Sequence, residues 1–119
     1  MSKEQNPKRY DLEDRTYKFA RRVTDFVTQL PNSLSNHEYG KQLLRSAGSV
    51  AANYIEANES LGKKDFLMHV KICRKESKES RLWLRLLHCQ EPSTKDQGSL
   101  IQESVELMKI FGSIVTKSQ

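Results

Sequence analysis

Between residues 63 and 89, apolar and small side chains recur at alternating steps of four and three: Phe66, Val70, Cys73, Ser77, Ser80, Leu84 and Leu87. That spacing is a heptad seam, and it commits the segment to a helix whose narrow stripe must be covered by other helices crossing near +20°. The middle of the seam is slim, because Cys73, Ser77 and Ser80 replace large side chains. A neighbouring helix can therefore approach closely there. Pro92 blocks continuation of the helix.

Three other segments carry helical periodicity. In residues 11–30, Leu12, Phe19, Val23, Phe26 and Leu30 form a stripe, which Pro31 and Asn32 end. A second helix is predicted to start at Ser35, where "SNHE" reads as a capping box between Ser35 and Glu38, and to end near Glu59. Its stripe is Leu43, Ala47, Val50, Tyr54 and Ala57. The last helix starts between Thr94 and Ser99, since "TKDQ" and "SLIQ" both fit a capping box, and its stripe is Leu100, Leu107, Phe111 and Ile114. No segment alternates as a strand does. Short links between long helices predict an all-α, up-down-up-down antiparallel four-helix bundle. It is a single domain over residues 11–116, preceded by a loose arm at residues 1–10.

Three of the helices carry a second apolar stripe: Ala20 and Val27; Leu44, Ala51 and Ile55; Ile101, Val105, Met108 and Val115. A lone bundle needs one broad face per helix, so the extra area predicts self-association. No apolar run reaches the ~20 residues of a membrane span. The polar N-terminus has no apolar signal core. Cys73 and Cys89, sixteen residues apart on one predicted helix, are separated by roughly 24 Å. They cannot form a disulfide, which needs Cα atoms within about 7 Å. A cytoplasmic location is expected. The formal charge of +5 allows an anionic partner, although 20 basic and 15 acidic residues are mixed throughout and such an excess also serves solubility.

The stretch Arg45–Ser60, "RSAGSVAANYIEANES", is full of small and polar residues where leucines would bury more. Two mid-helix glycines, Gly40 and Gly48, cost roughly 1 kcal/mol each relative to alanine. Close approach of another backbone would explain them. Arg45, Ser49, Asn53 and Glu56 share one side of this helix, and Glu76 and Glu79 face them from the next. The six form either an interhelix polar lattice that sets register or a binding groove.

The runs "YGKQLLRSAGSVAANYIEANES" and "KKDFLMHVKICRKESKESRLWLRLL" resemble the four-helix-bundle family named for 23S ribosomal RNA intervening sequences. The resemblance covers about residues 10–115. It implies a homopentamer. It also implies a distant likeness to the accessory protein of diversity-generating retroelements, which binds a reverse transcriptase and nucleic acid. Gly62 stands where that pattern leads us to expect a serine N-cap.

No phosphate loop, dinucleotide turn or nucleophile elbow is present, so no catalytic residue and no cofactor are assigned. His37, His69 and His88 follow Leu34, Phe66 and Arg85 at three residues, which excludes the Glu-x-x-His pairs of di-metal bundles. His69 and Cys73 are too few for a metal. Trp83, between Arg81 and Arg85, is read as an interface residue rather than a platform for a base. The basic candidates for a nucleic-acid contact are Lys18, Arg21, Arg22, Lys63, Lys64, Lys71, Arg74, Lys75 and Lys78. The expected function is a non-enzymatic, self-associating bundle that binds nucleic acid, RNA ahead of DNA. The alternative is an adaptor docking an acidic protein, for example as an accessory subunit of a nucleic-acid enzyme.

Overall fold

The computed structural model describes the backbone of residues 7–118 and the side chains from residue 12 to residue 118. Four helices follow one another: α1 (Pro7–Thr28), α2 (Leu34–Asn58), α3 (Lys63–Leu86) and α4 (Ser93–Ser118). No strand occurs among the described residues. The chain runs up, down, up and down, with α2 packed extensively against α3, α3 against α4 and α1 against α2. The closing pair, α1 and α4, touches far less. Six residues of the expected N-terminal arm lie outside the described residues. The helix itself begins at Pro7, four residues before the start that periodicity suggests. Proline suits a first helical position, where its missing N–H removes nothing.

The α3 seam is the axis of the core. Val70, Cys73, Ser77, Ser80, Leu84 and Leu87 are all buried, and Phe66 packs against the cluster from its edge. Opposite them lie Leu43, Ala47, Val50, Tyr54 and Ala57 of α2, with Leu100, Leu107, Phe111 and Val115 of α4. Leu12, Phe19, Val23 and Phe26 of α1 complete the cluster. The Tyr54 and Phe111 rings meet across the bundle with centroids 5.9 Å apart.

Several boundaries differ from the sequence-based expectation. The N-cap of α2 is Ser33, not Ser35: Ser33 is extended and its hydroxyl accepts from the Asn36 N–H. The earlier start places Asn36 in the first turn, where its amide becomes a tether. Asn36 Nδ2 donates to the carbonyls of Pro31 and His88, and Asn36 Oδ1 accepts from the His88 N–H. One buried side chain thus ties the start of α2 to the loop after α3. That loop opens earlier than expected, because α3 stops at Leu86 and leaves Cys89 outside it. Gln97 Nε2 donates to the carbonyls of Leu84 and Leu87, which α3 leaves without helical partners. At its other end α3 starts from Gly62, which supplies no side-chain cap. The start of α4 at Ser93 lies just ahead of both candidate boxes.

Gly48 overturns the close-approach expectation. It is exposed, and a Cβ built on it meets nothing within 4 Å. The narrow seam of α3 is met instead by Ser46, Ala47 and Val50, all buried. Gly40 is the glycine that faces another helix, since its Cβ would lie 3.4 Å from the Val27 side chain of α1, in van der Waals contact.

Candidate functional site

The α2–α3 seam carries a polar chain along its length. Arg45 lies 3.2 Å from Glu79 and 3.6 Å from Glu76. Glu76 is buried, and its Oε1 has no hydrogen-bond partner among the described residues. One turn on, Ser46 Oγ and Ser80 Oγ are 2.8 Å apart, and Ser80 also donates to the Glu76 carbonyl. The Cys73 thiol donates to the Val50 carbonyl, and burial pushes its pKa up to about 12. Asn53 donates to Ser49 and meets His69 Nδ1 at 3.0 Å, and His69 lies 3.8 Å from Asp65.

Five of the six residues singled out on this seam therefore take part: Arg45, Ser49, Asn53, Glu76 and Glu79. Glu56 does not; it is exposed, and only its backbone carbonyl is engaged, by Ser60. Ser46, Ser80 and His69 join in its place. The signal for His69 was its position on α3 level with Asn53. No group of three or more His, Cys, Asp or Glu side chains converges among the described residues. Trp83 stacks on Tyr39 of α2 with centroids 5.8 Å apart, so its ring is used within the chain.

The basic candidates divide into two groups. On α1, Lys18 pairs with Asp14 at 2.8 Å, and the Arg22 guanidinium donates to Ser99 of α4. Arg21 is exposed. The neighbouring Arg15 is held by Glu103 and Glu106 at 2.7 Å each. Its pKa rises, chiefly through the Glu103 hydrogen bond, while bonds from Gln102 and Arg15 lower that of Glu106. These contacts are the polar closure between α1 and α4.

On α3 the arrangement is different. Lys63, Lys64, Lys71, Arg74, Lys75 and Lys78 are all exposed, and none forms an ion pair among the described residues. Lys64, Lys71, Lys75 and Lys78 recur at helical spacing and share the face turned away from the core. Lys64 and Lys78 are ~21 Å apart along the axis. Met68, Leu82 and Leu86 are exposed on the same face. The α3 N-terminus adds its partial positive charge at the Lys63 end.

The class defined by these features is an antiparallel four-helix bundle with a polar seam between α2 and α3 and a free basic face on α3. The chain belongs to the 23S rRNA-intervening sequence protein family, whose model matches residues 8–113. It is also similar to a protein of unknown function from the S23 ribosomal protein family of Bacteroides thetaiotaomicron. That solved structure is 28% identical over 91% of this chain and 97% of its own, with a TM-score of 0.79. No curated protein matches. No described helix is long and apolar enough to cross a membrane.

Proposed function

We propose that the protein is a non-enzymatic, self-associating bundle that binds RNA through the outer face of α3. The carrying observation is that Lys64, Lys71, Lys75 and Lys78 share one exposed face of α3 and have no carboxylate partner among the described residues, with Arg74 exposed on its flank. Unpaired cations along one helix face are what a phosphate backbone neutralises, with release of its counterions. The α1 cations are already engaged through Lys18 and Arg22, which leaves them a secondary role. The family's association with ribosomal RNA insertions favours RNA over DNA. Anisotropy titrations of structured RNA and equal-length duplex DNA across salt concentration test this, since phosphate binding weakens steeply as salt rises.

Self-association rests on a second observation. Leu44, Gly48, Ala51 and Ile55 recur on one face of α2, and all but the half-buried Ala51 are exposed. Gly48 makes the middle of that strip flat. A second copy would cover it, and the family resemblance favours a pentamer. Light scattering on the intact chain tests this: Ile55→Asp should lower the mass toward 13.8 kDa per particle without unfolding the helices. The adaptor alternative takes the same α3 face, where Met68, Leu82 and Leu86 would meet an acidic protein. Capture of a stoichiometric protein partner after nuclease treatment would favour it. Both cysteines are free, which supports a reducing, cytoplasmic setting.

A further inference from the structure

At the end of the bundle where α1 begins, α2 ends, α3 begins and α4 ends, an open cleft of about 1030 Å³ lies between the helices. Ligand sites commonly measure roughly 300–1,000 Å³. Its floor is made by Leu12, Tyr54 and Ala57, which are buried parts of the core. Phe66, Ile110 and Ile114 wall it and remain only partly covered. Apolar surface left open in this way is an energetic liability of about 25 cal/mol per Å² until something covers it.

The charged side chains among the described lining residues have one sign, and Glu13 reaches the rim only through the hydrogen bond it accepts from Asn58. Among the described lining residues are Lys63 and Lys117, and neither an aspartate nor a glutamate. Neither lysine forms an ion pair among the described residues. The nearby Asp65 is outside the lining and lies 3.8 Å from His69 on its own helix. Gly62, also in the lining, caps α3 without a side chain, so the first-turn N–H groups beside Lys63 have no side-chain acceptor. An apolar trough bordered by two lysines and the N-terminus of α3 is complementary to a molecule with an apolar body and one anionic head.

We propose that this cleft binds a soluble carboxylate amphiphile, with its acyl chain along Leu12, Phe66, Ile110 and Ile114 and its carboxylate at Lys63 and Lys117. A neutral chain would leave the lysines unmatched, and a cationic one would meet like charge. A polar anion without a chain would leave the trough uncovered. The site lies at the end of the bundle and shares only Lys63 and the α3 N-terminus with the basic set on α3, so it is tested by substitutions that leave Lys64, Lys71, Lys75 and Lys78 in place.

The test is calorimetric titration of the intact protein with decanoate, decanol and decyltrimethylammonium, followed in parallel by amide chemical shifts. Saturable binding of decanoate is expected, with shifts confined to the four helix ends around the cleft and about tenfold or greater preference over the other two. Ile114→Trp, which fills the trough, should abolish binding. Lys63→Gln with Lys117→Gln, both at exposed positions, should keep the helical circular-dichroism spectrum and remove the preference for the anion. The proposal is overturned by absence of decanoate binding at millimolar concentration, or by equal binding of the cationic amphiphile. Shifts that survive both sets of substitutions would also overturn it. Binding to phosphatidylglycerol vesicles without binding to free decanoate would overturn it too, by placing the site on a membrane surface.

Discussion

Ser46 Oγ and Ser80 Oγ stand 2.8 Å apart at the buried contact between α2 and α3. Both residues are fully covered; the Ser80 hydroxyl donates to the Glu76 carbonyl, which leaves the Ser46 hydroxyl to donate to Ser80 Oγ. The pair explains why the middle of the α3 seam is slim: two hydroxyls fill the space that one leucine would overfill. Ser80→Leu should therefore destabilise the bundle by overpacking, by about 1–3 kcal/mol or more. A urea melt with an unchanged midpoint would show that the helices can separate at no cost.

Gly48 gives the opposite expectation. With no atom within 4 Å of its Cβ position, an added methyl group meets no obstacle and raises helix propensity. Gly48→Ala should stabilise the fold by about 1 kcal/mol. The check is thermal denaturation at several protein concentrations, so that any change in assembly is seen separately from the change in the fold.

Asn36 joins two distant parts of the chain with three hydrogen bonds. Asn36→Ala strands the His88 amide and two carbonyls in a partly buried place. The loss should be about 2–3 kcal/mol, since each bond contributes roughly 0.5–1.5 kcal/mol net. Amide exchange should quicken first around residues 87–92, and unaltered exchange there would count against the tether.

Much of this architecture was legible from the sequence. The four-and-three spacing of Phe66 through Leu87 marks the core face of α3 because burial acts on each position of the helix alike. The polar seam was legible in part, since Arg45, Ser49, Asn53, Glu76 and Glu79 need only helical geometry to converge. What failed were features whose meaning depends on a partner. A glycine signals absence of bulk, and the sequence does not say what the absence faces; Gly48 therefore suggested a close approach that Gly40 makes instead. Ser33 and Ser35 both suit an N-cap, and the choice depends on what Asn36 reaches across the bundle. His69 is absent from the predicted polar lattice because its hydrogen-bonding partner, Asn53, lies sixteen residues away on another helix. The cleft at the end of the bundle has no sequence signature, because its lining is gathered from all four helices and the link between α2 and α3.

Cys73 should make the fold sensitive to alkali. Its folded pKa is raised from 9.0 to about 12 by burial. Above the unfolded value the unfolded chain releases a proton that the folded chain retains, so stability is fully present below pH 9 and falls as pH rises toward 12. The slope approaches about 1.4 kcal/mol per pH unit. Cys73→Ala should lower stability at neutral pH and flatten that slope, which denaturant melts at pH 8 and pH 10.5 would reveal. In the native protein a thiol reagent should modify Cys89, which is only partly buried, well before Cys73.

The most direct test of the central claim is the salt dependence of RNA binding by the wild-type protein and by the variant with Lys71, Lys75 and Lys78 all replaced by glutamine. Fluorescence anisotropy with a labelled structured RNA should show log affinity falling linearly with log salt for the wild type. The variant, with an unchanged circular-dichroism spectrum, should bind more weakly at every salt concentration, with the slope reduced by about 2–3. Equal slopes and affinities for the two proteins, or no binding by the folded wild type at low salt, would contradict an RNA interface on α3.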